Sequence, residues 1–122
     1  MLNGSEVTIL VYLGIKEGKL AEFKELATEM CEAVKSEVDT IAYGFYVSED
    51  NSTFTVREVY KNAAAMFAHA GNVGPLLMKL GPLTEWKGAD IHGPKAEIES
   101  LKSIPMFATA RFWAQEVVLA KI

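Results

Sequence analysis

Residues 42–72 read AYGFYVSEDNSTFTVREVYKNAAAMFAHAGN. Two runs rich in aromatic and β-branched residues, Ile41–Ser48 and Thr53–Tyr60, flank the polar link EDNS. Such runs suit a pleated, half-buried surface, and a short polar link between them predicts an antiparallel hairpin. The pattern then changes from strand alternation to an alanine-rich run. Asn62 can cap a helix there, and Gly71 can end it. A hairpin that feeds a helix is the middle of a β-α-β-β-α-β order, and the flanking sequence decides whether that order is complete.

It is completed on both sides. Upstream, Glu6–Leu13 is rich in β-branched residues, with Val7, Ile9, Val11 and Leu13 on one face and Thr8, Leu10 and Tyr12 on the other. Leu20, Phe23, Ala27, Met30, Cys31 and Val34 then recur at three- and four-residue steps and predict a long amphipathic helix. Cys31 lies on or beside that stripe and reads as a small buried hydrophobe. Downstream, Gly74–Pro75 restarts a short helix through LLMKL, and Gly81–Pro82 stops it. Thr84–His92 alternates again as a fourth strand. Pro94 opens a further helix, KAEIESLKSI, which Pro105 ends. The apolar tail MFATARFWAQ–EVVLAKI reads as at least one more strand. The expectation is a single α+β domain over residues 1–122. It is a ferredoxin-like β-α-β-β-α-β antiparallel sheet with helices on one face and a C-terminal helix and strand-like extension.

Composition narrows the function classes. Half of the 122 residues are apolar and 23% are charged, as in a folded globular protein. A net charge of -4 offers no electrostatic footprint for nucleic acid or for an anionic membrane surface. One cysteine cannot form an internal disulfide, and the start of the chain reads as a strand, not a signal peptide. No apolar run reaches the ~20 residues a spanning helix needs. The expected location is the cytoplasm.

The second sheet face is more apolar than a solvated face should be. Tyr12 and Leu10, Ala42 and Tyr46, and Val59 all fall on it, and simple alternation adds Trp86 together with Asp90 and His92. A contiguous apolar patch marks an interface. Either a second copy covers it, giving a homodimer, or MFATARFWAQ folds back over its own sheet.

The hairpin and alanine helix of residues 42–72, together with LTEWKGADIHG, resemble the antibiotic biosynthesis monooxygenase family, over about Glu6 to Gly93. The resemblance implies a dimeric α+β barrel in which two copies pair sheet to sheet. It implies a largely apolar pocket between sheet and helices for a small apolar or aromatic ligand. It also implies that several relatives oxygenate aromatic or quinol substrates with molecular oxygen and no metal, flavin or other cofactor. Other relatives degrade haem, isomerise sugars or have no known activity. The haem degraders share a helix histidine, a helix tryptophan and a strand asparagine. Here only His69 is supplied, with Phe67 in the helix and Asn3 outside the strand, which argues against haem degradation.

His69 matches the family's helix histidine by position and can act as base or donor. It is the expected catalytic residue, facing the cavity between the sheet and the second helix. Tyr12, Tyr46 and Trp86 are polar-tipped aromatics that could line a pocket for a planar substrate, with Asn72 near the helix end. Arg57 and Glu58 point to opposite faces and read as members of ordinary cross-strand ion pairs. His92 reads as exposed. Two histidines and one cysteine spread over three elements make no metal site.

Overall fold

The computed structural model describes residues 4–119. Four strands form an antiparallel core sheet: β1 (Val7–Ile15), β2 (Thr40–Val47), β3 (Phe54–Tyr60) and β4 (Thr84–Gly93). Two long helices cover one face, α1 (Leu20–Val34) and α2 (Ala63–Leu80). A short α3 (Lys95–Leu101) leads into β5 (Arg111–Ala114), which runs parallel to β4 and extends the sheet. The strand order is β2-β3-β1-β4-β5, so the complete sheet is mixed and ferredoxin-like. MFATARFWAQ therefore does not lie flat over the sheet. Part of it becomes an edge strand, and residues 120–122 of the expected tail lie outside the described residues. Among the described residues, no helix is long and apolar enough to cross a membrane.

The core follows the alternation. Val7, Ile9, Val11 and Leu13 of β1, with Phe54, Val56 and Tyr60 of β3, pack against Phe23, Leu26 and Met30 of α1 and Met66 and Val73 of α2. Fully burying each large apolar side chain contributes about 1.5–3 kcal/mol. This layer holds the helices at a set height above the sheet.

Two local expectations give way to tertiary packing. Gly71 does not end α2, and no second helix starts at Gly74–Pro75. One helix runs through Pro75 to Leu80. The reason is phase: Met66, His69, Ala70, Val73, Leu77 and Leu80 keep to one stripe, and that stripe is buried or partly buried across the breakers. Proline forfeits the hydrogen bond to the Gly71 carbonyl, a loss that falls on an exposed, side-chain-free turn.

The second departure is in β4. Tyr12 pairs with Gly88 but Leu13 pairs with Trp86, so one residue is skipped. Gly88 supports this bulge with φ +137°, a conformation that side chains disfavour. The bulge moves Trp86 off the face of Asp90 and His92, where simple alternation puts it, and onto the helix-covered face.

Candidate active site

A cavity of about 170 Å³ lies between the inner sheet face and α2. Its walls are apolar: Val11, Leu13, Met30, Val56, Met66, Leu77, Leu80 and, from the C-terminal extension, Ile104, Met106 and Phe107. Gly81, Trp86 and Met106 are its exposed members and mark the mouth. Glu58, His69 and Tyr43 mark its deep end. Among the described residues, no three His, Cys, Asp or Glu side chains converge as a metal-ligand group.

The deep end is a hydrogen-bonded cluster. Glu58 of β3 shares the core face with Val56 and Tyr60, and Tyr60 Oη donates to its Oε1 at 2.5 Å. His69 Nε2 stands 3.8 Å from the same Oε1, beyond hydrogen-bond range. On the other side of the ring, Nδ1 lies 2.9 and 3.0 Å from the two carboxylate oxygens of Glu37. Glu37 is held in turn: Thr40 Oγ1 donates to it at 2.6 Å and Asn72 Nδ2 at 2.8 Å. The imidazole sits between the rings of Tyr43 and Tyr60, with centroids 5.0 and 5.3 Å away.

Charge and burial set the ionisation of each group. Burial pushes the Glu58 carboxyl up to about 7; the Tyr60 hydrogen bond opposes this and the negative Glu37 adds to it. Burial also acts to raise Glu37, but the hydrogen bonds from Asn72, Thr40 and His69 outweigh it and hold Glu37 below its ordinary value. Burial, then the nearby Glu58, pushes the phenols of Tyr43 and Tyr60 up, so both stay neutral donors. Glu37 is thus an ionised, acceptor-only carboxylate. That assigns a proton to Nδ1; in the neutral ring Nε2 is then the acceptor, and it is turned toward Glu58. The arrangement can take a proton from a ligand in the cavity and return it.

The structure brings two of the expected site residues to this cavity, His69 and Trp86. Asn72 does not line it; it reaches the cluster from behind, through Glu37 and the Ala33 carbonyl. Tyr12 and Tyr46 lie on the opposite sheet face, because strand alternation points them away from the helices. Tyr46 is largely exposed there, and Tyr12 donates to Asp90 at 2.9 Å. Asp90 also receives Arg111 through Nε and Nη2, at 2.7 and 2.8 Å, and Trp113 Nε1 at 3.0 Å. This second cluster clamps β5 to β4. His92 is exposed, as expected, and stacks on Trp113.

Sequence reasoning missed Glu58, and with it Tyr43, Tyr60 and Glu37. Glu58 is not part of a cross-strand ion pair: among the described residues no lysine or arginine bridges to it. One signal pointed to it. Its alternation placed a lone carboxylate among Phe54, Val56 and Tyr60 on a core face, where an unpaired charge is costly and therefore informative. Glu37 carried no such signal, since it lies in the link between α1 and β2.

Comparison with known proteins adds to this geometry. The sequence profile of a family described as antibiotic biosynthesis monooxygenase matches residues 6–73, short of the expected Gly93. Among solved structures, MupZ from Pseudomonas fluorescens is 24% identical, over 96% of this chain and 95% of that one, with TM-score 0.86. Rv0793 from Mycobacterium tuberculosis is 18% identical, over 74% and 95%, with TM-score 0.65. SnoaB, a cofactor-independent oxygenase from Streptomyces nogalater, is 14% identical, over 71% and 90%, with TM-score 0.62. No curated protein matches in sequence.

Proposed function

The chain belongs to the antibiotic biosynthesis monooxygenase family, and from that premise we propose that it is a cofactor-independent monooxygenase acting on a small aromatic or quinol-like molecule. The observation that carries this reading is the Glu58–His69 pair at the blind end of an apolar cavity. A carboxyl raised to about 7 divides its time between base and acid at neutral pH, which is where proton transfer is most efficient. The family's name and the described activity of SnoaB support the oxygenase reading.

In this mechanism the substrate enters past Trp86 and Met106 and directs its hydroxyl inward. Ionised Glu58 takes the hydroxyl proton, with Nε2 of His69 as the neighbouring acceptor. The resulting anion supplies electrons to molecular oxygen, and a carbon–oxygen bond forms. Glu58 returns its proton to the peroxide so formed. The C–H bond of the oxygenated carbon then breaks, and its electron pair forms the carbonyl as the oxygen–oxygen bond breaks. The proton of that C–H bond joins the departing hydroxide, so that one oxygen stays on the substrate and the other leaves as water. The apolar walls exclude bulk water and strengthen each charge interaction inside. Size restricts the substrate, because a dry cavity of about 150 Å³ holds one benzene ring. One ring therefore fits better than a polycycle.

Oxygen uptake with single-ring hydroquinones, in buffer stripped of metals, tests the reading. Uptake that requires Glu58 is expected. Proton exchange into substrate without oxygen uptake would favour a second reading, an isomerase, for which the same acid–base pair suffices. Neither activity, with ligand still bound, would leave a binding module. We also propose that two copies pair through the outer sheet face. Exposed Tyr46 and Trp113 lie there, and the exposed Val117, Val118 and Leu119 border the hollow on it. Sedimentation that gave only monomer at micromolar concentration would remove that proposal.

A further inference from the structure

The His69 ring separates two spaces. On one side is the apolar cavity, with Glu58 at its deep end. On the other is a surface cleft of about 400 Å³ between the end of α1 and the start of α2, lined by Glu37, Thr40, Asn62 and Asn72. Among the described residues, His69 alone is paired with a carboxylate on each side, Glu37 through Nδ1 and Glu58 across from Nε2. The imidazole itself is only 3% exposed, so water does not pass around it freely.

We propose that Glu37 and His69 form a proton path that joins the cavity to the solvent cleft, separate from the mouth through which substrate enters. The path rests on the reading of the cavity as the active site. Outward, the Glu58 carboxyl proton passes to Nε2 as the Nδ1 proton passes to Glu37, and from Glu37 to water in the cleft. Inward transfer reverses each step. Only protons move, and no bond between heavy atoms changes. The gap of 3.8 Å must close by somewhat less than ~1 Å for the first transfer, a tightening common when such sites fill. The groups that face the path do not compete for the proton. Tyr43 of β2 and Tyr60 of β3 flank the ring, and burial keeps both neutral. Burial also pushes up the Cys31 thiol of α1 near Tyr43. The path has a purpose: an apolar ligand that plugs the mouth expels water, yet Glu58 can still exchange its proton with solvent.

The test needs neither substrate nor oxygen, so its outcome is independent of which reaction the site performs. A rapid pH drop through about 7, followed by infrared absorption, reads the protonated Glu58 carbonyl band. Glu58→Gln identifies that band by its loss. Glu37→Gln is expected to slow the band's appearance roughly tenfold or more, and Glu37→Asp to restore most of the rate. An unchanged rate in Glu37→Gln overturns the path. A second measurement on the unaltered protein guards against a variant that fails to fold. With toluene filling the cavity, the rate is expected to hold; a rate that collapses with toluene bound means that protons use the mouth, and the path is wrong.

Discussion

Glu58 and Asp90 lie on strands that flank β1, on opposite faces of one sheet, and each is 7% exposed. Their ionisation nevertheless goes opposite ways, Glu58 up to about 7 and Asp90 down to about 2. Exposed area does not separate them; the depth of protein around each carboxyl and the donors that reach it do. Glu58 receives one neutral hydroxyl inside an apolar cavity, so desolvation of its charged form prevails. Asp90 receives two guanidinium N–H groups, an indole N–H and a phenol, and its cover is wet, since the Arg111 side chain is 69% exposed. One carboxyl is left free to trade a proton. The other is committed to holding an edge strand.

The sharpest way to break that contrast is turnover. Glu58→Gln should lower it by about 10²-fold or more, the usual worth of a positioned acid–base group. Asp90→Asn should leave turnover per folded molecule nearly unchanged. Equal losses in steady-state rates would show that the two carboxylates do not have separate roles.

Stability against pH comes next, and its sign differs between the two. The folded chain binds the Glu58 proton more tightly than the unfolded chain does. That contribution is complete below the ordinary value of 4.5 and is lost as pH rises toward about 7. Glu58→Gln stays neutral throughout. Chemical denaturation should therefore show the variant gaining on the parent across this window, by on the order of 3 kcal/mol. A constant difference would mean that Glu58 titrates normally.

At Asp90 the dependence reverses. Its carboxyl is depressed, so its contribution is present above 3.8 and disappears as pH falls toward about 2. Asp90→Ala should remove this acid-side loss and, near neutrality, destabilise by roughly 1–2 kcal/mol, limited by the solvent around Arg111. Amide exchange should speed up in β5 and stay slow in β3. Faster exchange in β3 would mean that the clamp supports the whole sheet. The smallest effect belongs to Tyr46, also on the outer face. Tyr46→Ser should change monomer stability by no more than about 0.5 kcal/mol and leave turnover intact. If it lowers turnover, the outer face takes part in the site.

Much of the fold was legible in the chain because it depends on period. Alternation located four strands and separated Val7, Ile9, Val11 and Leu13 from Tyr12, and a three-to-four spacing located α1. Those patterns report which faces are buried, and burial dominates the energy. His69 was legible by resemblance, as a polar group on an otherwise featureless alanine helix. The tertiary structure decided what local rules cannot weigh. It carried α2 through Gly71 and Pro75, because a buried stripe in phase outweighs two local breakers. It turned Trp86 into the cavity, because one skipped residue at Gly88 inverts a face. It brought Glu37 and Glu58, 21 positions apart, to opposite edges of one imidazole. Ionisation is the last such property: a carboxylate's charge depends on how deeply the folded chain buries it and on the donors the fold assembles around it, and the identity of the residue specifies neither.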